Sequence, residues 1–278
     1  RMLIGSEGAL GIITEAWVRI RRRPLHRASA PVRFESFEAG VDAARALSQS
    51  GLYPTNCRLI DAREAALTGA GDGAHALLVL GFESAEHDVE RAMATALEIC
   101  SDHGGAWERR GDGSAGSGND AVGSWREAFL RAPYLRDVFV AIGVLSETFE
   151  TAITWERFPA FHARVMTDVG DAIREACGAG TLTCRFTHVY PDGPAPYYTI
   201  LAPARRGAEL EQWAEIKRVA SEAVIAGGGT ITHHHAVGRS HRPWYDRQRP
   251  EPFAAALRAA KAALDPTGAL NPGVLIDP

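Results

Sequence analysis

Three consecutive histidines, His233, His234 and His235, are the residues of this chain whose types and spacing point most directly to chemistry. They follow Thr230-Ile231-Thr232, whose β-propensity predicts a short strand after a run of three glycines. On a strand, His233 and His235 would share one face and His234 would lie on the other. Because imidazoles accept, donate and relay protons near neutral pH, the cluster favours an acid/base site; a solvated polar turn is the alternative.

The sequence disfavours a metal site at these histidines. Ligand histidines on helices come four residues apart and on strands two apart, and no cysteine or acidic residue lies close to the three histidines along the chain. The four cysteines (Cys57, Cys100, Cys177 and Cys184) are scattered without a CxxC pair, which indicates reduced thiols. We therefore expect no resident metal.

Composition narrows the class of protein. The 278 residues are 46% hydrophobic and 23% charged, which is typical of one large or two modest globular domains. A net charge of -4 argues against nucleic acid as a partner. There is no apolar run of membrane-spanning length and no signal peptide, so we expect a cytoplasmic protein. A peripheral contact with a membrane and a homodimer are left open.

Alternating periodicities predict the elements that position the histidines. The pattern strand–helix–strand–strand–helix–strand occurs roughly twice, and the second copy ends at the histidines. The predicted fold class is therefore α+β, with an antiparallel sheet covered by helices, of the split βαβ kind. Strands are predicted at 32–34, 57–60, 76–82, 106–109, 183–190 and 197–201, helices at 37–48, 88–101, 154–177, 208–226 and 251–264, and a loop at 111–120.

The first residues form a separate motif. Glycines at positions 5, 8 and 11 allow close approach of the backbone, and their N–H groups suit a polar or anionic cofactor edge, although a plain tight turn explains them as well. Residues 12–20 then predict a strand. Because Arg1 stands where an initiator methionine is expected and a structured motif follows at once, we interpret the chain as a C-terminal fragment.

Several separated motifs together resemble a known family. Gly5–Thr14 and Asp265–Gly273 are similar to the last flavin-contacting loop and the C-terminal signature of the vanillyl-alcohol-oxidase-type FAD-binding superfamily. Within it, the triple histidine resembles the alkyldihydroxyacetonephosphate synthase family, which makes ether lipids. The supporting motifs are Tyr134–Asp137, Glu147–Trp155 and Thr183–Tyr190.

The resemblance implies a domain organisation and a cofactor. Residues 1–23 would end an FAD-binding domain whose remainder precedes Arg1, contributing a remnant strand. Residues 24–278 would form a ferredoxin-like-derived cap, or substrate, domain with a C-terminal flavin-contacting segment. The implied FAD contacts are Gly5, Ser6, Glu7, Gly8, Leu10, Gly11, Ile12 and Asn271.

The resemblance also implies an activity. A family member replaces the acyl group of acyl-dihydroxyacetone phosphate, a small lipid precursor, by a fatty alcohol at the flavin without net redox change. The implied catalytic residues are Tyr197, Arg136, His233, His234 and His235, with Tyr198 as the alternative phenol. An FAD-linked 2-hydroxy-acid oxidase or dehydrogenase, which would carry Glu-His in place of His-His, and a non-catalytic isolated cap module are the alternative functions.

Overall fold

In a computed structural model, the chain is described over residues 2–107 and 121–277. The strands are β1 (His26–Phe34), β2 (Asn56–Ile60), β3 (Ala76–Ser84), β4 (Val144–Glu150), β5 (Thr181–Val189) and β6 (Pro194–Pro203). The helices are α1 (Phe37–Gln49), α2 (Ala62–Leu67), α3 (Glu90–Asp102), α4 (Ala121–Ala141), α5 (Phe158–Cys177), α6 (Glu209–Gly227), α7 (Arg242–Gln248) and α8 (Glu251–Leu264). The loop predicted at 111–120 lies outside the described residues.

One six-stranded antiparallel sheet has the order β1-β3-β2-β5-β6-β4. Its two halves repeat the same arrangement, because β1, β2 and β3 correspond to β4, β5 and β6 and the halves meet where β2 pairs with β5. The junction is short, with Ile60 opposite Arg185. The predicted α+β class, with helices covering an antiparallel sheet, is confirmed.

Four helices cover one face of the sheet. Alternate strand residues such as Leu78 on β3 and Ile200 on β6 point into a single hydrophobic core beneath α1, α3, α5 and α6. Within it, the Phe149 ring stacks on Tyr198 with centroids 4.8 Å apart, and the Tyr198 hydroxyl lies 3.0 Å from Nδ1 of His162 on α5. The opposite face, which we call the open face, carries the small α2 and the polar residues discussed below.

The end of α6 brings the histidines to the edge of the sheet. Gly228 adopts a left-handed conformation (φ +80°), which ends the helix and reverses the chain. The Thr151 Oγ1 donates to the Thr230 carbonyl (2.6 Å), and the Ala152 N–H donates to the Thr230 hydroxyl (2.9 Å). These bonds attach the chain to the residues that follow β4.

Two predicted strands, at 12–20 and 230–232, are wrong. Residues 12–20 form no strand, because a strand needs a hydrogen-bonding neighbour and no described residue pairs with them; the remnant strand is therefore an exposed, unpaired segment. The strand predicted at 106–109 lies half outside the described residues, and within them Ala106 makes a single antiparallel bridge to Arg33 on β1. Thr230–Thr232 is irregular, since its bonds go to side chains and to Ala152. None of the helices in the described part of the chain combines the length and the apolar composition that a membrane-spanning segment requires.

The half-buried imidazole of His162 predicts acid sensitivity. Burial lowers the pKa of His162 from 6.5 to about 4, so the unfolded chain binds a proton in this range before the folded chain does. The free energy of unfolding should therefore fall as the pH drops from 6.5 to 4, by roughly 3 kcal/mol in total from this group. Urea unfolding across this range checks it. A His162→Gln variant should show a flatter dependence, and an unchanged slope would contradict the assignment.

Candidate active site

Three residues form a row across the open face of the sheet. Arg185 on β5 lies directly opposite Tyr197 on β6, and Tyr197 lies directly opposite Glu150 on β4. Directly opposed residues share a face, so all three side chains project away from the main core. The Arg185 guanidinium lies 3.9 Å from the centroid of the Tyr197 ring, in cation–π contact.

The Glu150 carboxylate is fully buried and organises the histidines. Its Oε1 accepts hydrogen bonds from the Thr232 hydroxyl (2.6 Å) and from the backbone N–H groups of His233 (2.6 Å), His234 (2.9 Å) and His235 (2.9 Å). Burial by itself raises the pKa of Glu150, but the hydrogen bonds from Thr232, His235 and His233 outweigh it, and the pKa is lowered. Residues 232–235, which we call the histidine turn, therefore curl around one charged oxygen.

All three imidazoles lie in one cluster. The ring centroids of His233 and His234 are 5.4 Å apart, and those of His234 and His235 are 4.8 Å apart. His188 on β5 contacts both His233 and His234, with centroids 5.3 Å away in each case. The expectation that His234 would point away is wrong. Strand alternation does not apply, because three successive N–H groups converge on one oxygen.

Tyr197 and Tyr198 lie on opposite faces of the sheet. The Tyr197 ring contacts His234 at 6.2 Å and His235 at 5.3 Å between centroids. Tyr198 is fully buried in the core, where burial raises its pKa well above the usual value. Of the two phenols, Tyr197 is the one beside the imidazoles.

Two imidazoles of the site, His188 and His235, have a lowered pKa that favours their neutral form. Burial lowers the pKa of His235 and of His188, and the neighbouring imidazoles His233 and His234 lower that of His188 further. Neutral imidazoles can accept protons at pH 7. Tyr190 extends the cluster, since its hydroxyl lies 3.0 Å from Nε2 of His233.

Glu150 and Arg185 are the site residues that the sequence motifs contained without a predicted role. Arg185 is held by an ion pair with buried Glu64, whose carboxylate also accepts from Thr183 at 2.9 Å. Arg58 on β2 adds a second positive charge near Arg185. Burial lowers the pKa of Arg58, and Coulombic repulsion from Arg185 lowers it further. The sequence did contain a signal for Arg185: because Cys184 and Phe186 are apolar and alternate with it on a predicted strand, Arg185 has to lie on the opposite face of the sheet.

Arg136 makes no described contact with this cluster. It lies on α4 with an exposed side chain. Within the described residues, it makes no hydrogen bond, ion pair or ring contact with Tyr197 or the histidines. Its catalytic role remains a prediction from the resemblance.

The predicted cofactor-binding residues lie beside the C-terminal segment. The Glu7 carboxylate accepts from the backbone N–H groups of Val237 and Gly238, both at 2.8 Å, so it fixes the chain just after the histidine turn. The Asn271 side chain donates to the Glu7 carbonyl. Lys261 is fully buried on α8 and donates to the carbonyls of Ala9 (3.0 Å) and Leu270 (2.6 Å).

The remaining residues predicted to contact the cofactor differ in their burial. Ser6 is buried and donates to the Leu3 carbonyl (2.9 Å), and Leu10 packs on Leu257 and Ile276. Gly5 and Gly8 have positive φ (84° and 75°), a conformation that favours glycine. Ile12 is exposed, and Gly11 is half-buried, with open space where a side chain would stand. A flavin contact by any of these residues stays a prediction.

Comparison with known families gives one match over most of the chain. Residues 23–275 match the family described as FAD linked oxidases, C-terminal domain. Alkyldihydroxyacetonephosphate synthases are 27% identical in Trypanosoma brucei brucei and 28% identical in Caenorhabditis elegans, over 99% and 100% of this chain. The alignments cover 48% and 50% of those proteins, so the chain spans about half the length of these curated relatives. The glycolate oxidase subunit GlcD of Bacillus subtilis (strain 168) is 26% identical over 98% of this chain and 56% of its own length.

Solved structures show the same fold. A structure of an alkyldihydroxyacetonephosphate synthase superposes with a TM-score of 0.73 at 20% identity, covering 96% of this chain and 48% of that one. A p-cresol methylhydroxylase with bound substrate gives a TM-score of 0.63 at 16% identity, covering 91% and 53%. The resemblance inferred from the sequence motifs is confirmed, and FAD as the cofactor is confirmed for the family.

Removing the Glu150 carboxylate should loosen the histidine turn. We expect Glu150→Ala to lower the free energy of unfolding by about 2–4 kcal/mol, because it leaves the three backbone N–H groups of the histidine turn without their acceptor. Glu150→Gln should cost less, since an amide oxygen can still accept. Urea unfolding of the purified chain checks this, with exposed Glu156→Ala as the control within about 0.5 kcal/mol. Equal losses for Glu150→Ala and Glu156→Ala would contradict the role assigned to Glu150.

Replacing each of the two tyrosines by phenylalanine should change the stability of the protein by different amounts. Tyr198→Phe should cost about 1–2 kcal/mol, because it removes the hydrogen bond between the buried Tyr198 hydroxyl and His162. Tyr197→Phe should change stability by less than about 0.5 kcal/mol, since no described hydrogen bond involves its hydroxyl. Thermal unfolding of both variants measures the difference. A larger loss for Tyr197→Phe would show that its hydroxyl is a structural group.

Proposed function

This chain belongs to the family of FAD linked oxidases, C-terminal domain, and from that membership we propose that it forms the substrate side of an FAD-dependent transferase of the alkyldihydroxyacetonephosphate synthase type. The proposed reaction exchanges the acyl group of acyl-dihydroxyacetone phosphate for the alkyl group of a fatty alcohol. The observation that carries the proposal is the convergence of Tyr197, Arg185 and the three imidazoles over Glu150 on the open face.

The residues of the open face fit a flavin ring. A flavin presents a flat aromatic face and carbonyl edges, and these need stacking partners and hydrogen-bond donors. Tyr197 and the imidazoles supply rings, and the guanidinium of Arg185 supplies donors; its Nε is buried without a hydrogen bond among the described atoms. The chemistry that FAD supplies when bound is the making and breaking of substrate bonds at its ring.

The chain's own residues would bind and transfer protons. Arg185 carries a permanent charge that can compensate a phosphate or a departing carboxylate. Neutral His235, next to Tyr197, can take up a proton from a phenol or from the incoming alcohol. Because the backbone of His235 is fixed by Glu150, the acceptor is positioned before the substrate arrives.

Part of the proposal rests on sequence motifs alone. Arg136 is retained as a candidate ligand for phosphate or carboxylate, on the strength of the motif Tyr134–Asp137. A homodimer and a peripheral membrane contact are likewise retained as predictions. So are the domain boundary near residue 23 and the flavin contacts of Gly5–Ile12 and Asn271.

A redox enzyme acting on a 2-hydroxy acid is the second candidate. The glycolate oxidase subunit matches this chain at an identity close to that of the synthases, so sequence similarity alone separates the two functions weakly. The residue pair favours the transferase, because His234-His235 stands where the resemblance implies Glu-His for the oxidases. An isolated, non-catalytic cap is the third candidate.

An assay of the complete flavoprotein separates the candidates. We expect exchange of a labelled fatty alcohol into acyl-dihydroxyacetone phosphate with no electron acceptor present. Tyr197→Phe should reduce kcat by at least about 100-fold, whereas exposed Tyr53→Phe should leave it unchanged. Arg185→Lys should also lose most activity, since an ammonium cannot replace the guanidinium fork. Turnover that requires an electron acceptor, with bleaching of the flavin by a 2-hydroxy acid, would establish the oxidase instead. If the protein catalyses neither reaction, the non-catalytic cap is the remaining candidate.

A further inference from the structure

The second oxygen of the Glu150 carboxylate has no hydrogen-bond partner. Oε2 is buried, and none of the described donors satisfies it. It lies 3.0 Å from Nδ1 of His234 and 3.6 Å from Nδ1 of His233, and these two nitrogens are 3.2 Å apart. A buried carboxylate oxygen without a hydrogen bond is costly, so it points to a missing partner.

These three atoms have the spacing of metal ligands. Zinc binds imidazole nitrogen and carboxylate oxygen at about 2.0–2.2 Å, so the edges of its coordination tetrahedron are about 3.3–3.6 Å long. Separations of 3.0, 3.2 and 3.6 Å form a triangle close to one face of such a tetrahedron. A ring nitrogen of His188 lies within 4.8 Å of a ring nitrogen of His233 and of a ring nitrogen of His234, so a third imidazole is near this triangle.

We propose that Glu150, His188, His233 and His234 form a binding site for a divalent transition metal of the Zn²⁺ class. The site was disfavoured by the sequence because its acidic ligand lies on β4 and its fourth histidine on β5, both far along the chain from the triple histidine. Folding brings all four groups together on the open face.

The groups around the ligands support coordination. The Tyr190 hydroxyl bonds to Nε2 of His233 (3.0 Å), which leaves Nδ1 directed toward the site. The four hydrogen bonds to Oε1 hold the carboxylate in place and leave Oε2 available. Imidazole-rich sites favour zinc over magnesium or calcium, which prefer oxygen ligands.

Metal binding would occupy lone pairs of His233 and His234 and would place positive charge beside His235, which would make His235 a poorer proton acceptor. Zinc is therefore expected to inhibit, rather than support, the exchange reaction proposed above. The metal site itself depends only on the distances between these ligands. It can be tested in the absence of flavin and substrate, so its failure and the failure of the proposed function are distinguishable.

Titration calorimetry of the 278-residue chain with Zn²⁺ tests the site. We expect one ion per chain with a Kd of about 1 µM or tighter, no binding of Mg²⁺ at the same concentration, and the visible bands of tetrahedral coordination with Co²⁺. His234→Ala and His188→Ala should each weaken zinc binding by at least about 100-fold. His235→Ala, an adjacent imidazole outside the ligand set, should change it less than about threefold.

Three results would overturn the proposal. They are the absence of saturable Zn²⁺ binding, binding by His234→Ala and His188→Ala at the wild-type affinity, and equal weakening by His235→Ala, which would indicate a non-specific histidine effect. Circular dichroism of each variant establishes that it is folded. Should His234→Ala unfold, the exposed His188→Ala on β5 decides the question alone.

Discussion

A single charged oxygen, Oε1 of Glu150, fixes the geometry on which the candidate site depends. Burying a carboxylate costs several kcal/mol, and four short donors offset this cost. Three of them are successive backbone N–H groups, which can point at one atom only if the chain curls. In this curled segment the side chains of His233, His234 and His235 lie close together, next to Tyr197. The carboxylate therefore acts as a template for the site.

The repeated architecture explains where this template lies. In the first half of the sheet, the chain leaving α3 returns to the edge strand and bridges Arg33 through Ala106. In the second half, the chain leaving α6 makes the equivalent return, and Thr230 bonds beyond the end of β4. The histidine turn is an elaboration of this second return. Glu7 fixes its far end, so that residues from the start of the chain also shape the site.

Hydrophobic periodicity predicted the sheet and its major helices well, because burial of one face determines both. It failed where hydrogen bonds to distant side chains decide the backbone. Thr230–Thr232 has strand propensity, yet its partners are Thr151, Ala152 and Glu150, about 80 positions away, which local sequence cannot indicate. Arg185 was visible only as a motif residue, whereas its role emerges from its position opposite Tyr197.

Hydrogen exchange of the three histidine amides tests the template most directly. The His234 side chain is 39% exposed, so its amide would exchange quickly in a solvated turn. If Glu150 accepts from all three N–H groups, the amides of His233, His234 and His235 should exchange at least about 100-fold more slowly than in an unstructured chain, and Glu150→Ala should remove this protection while the amides of α6 keep theirs. Exchange of the three amides at unstructured rates in the unmodified chain would contradict the account.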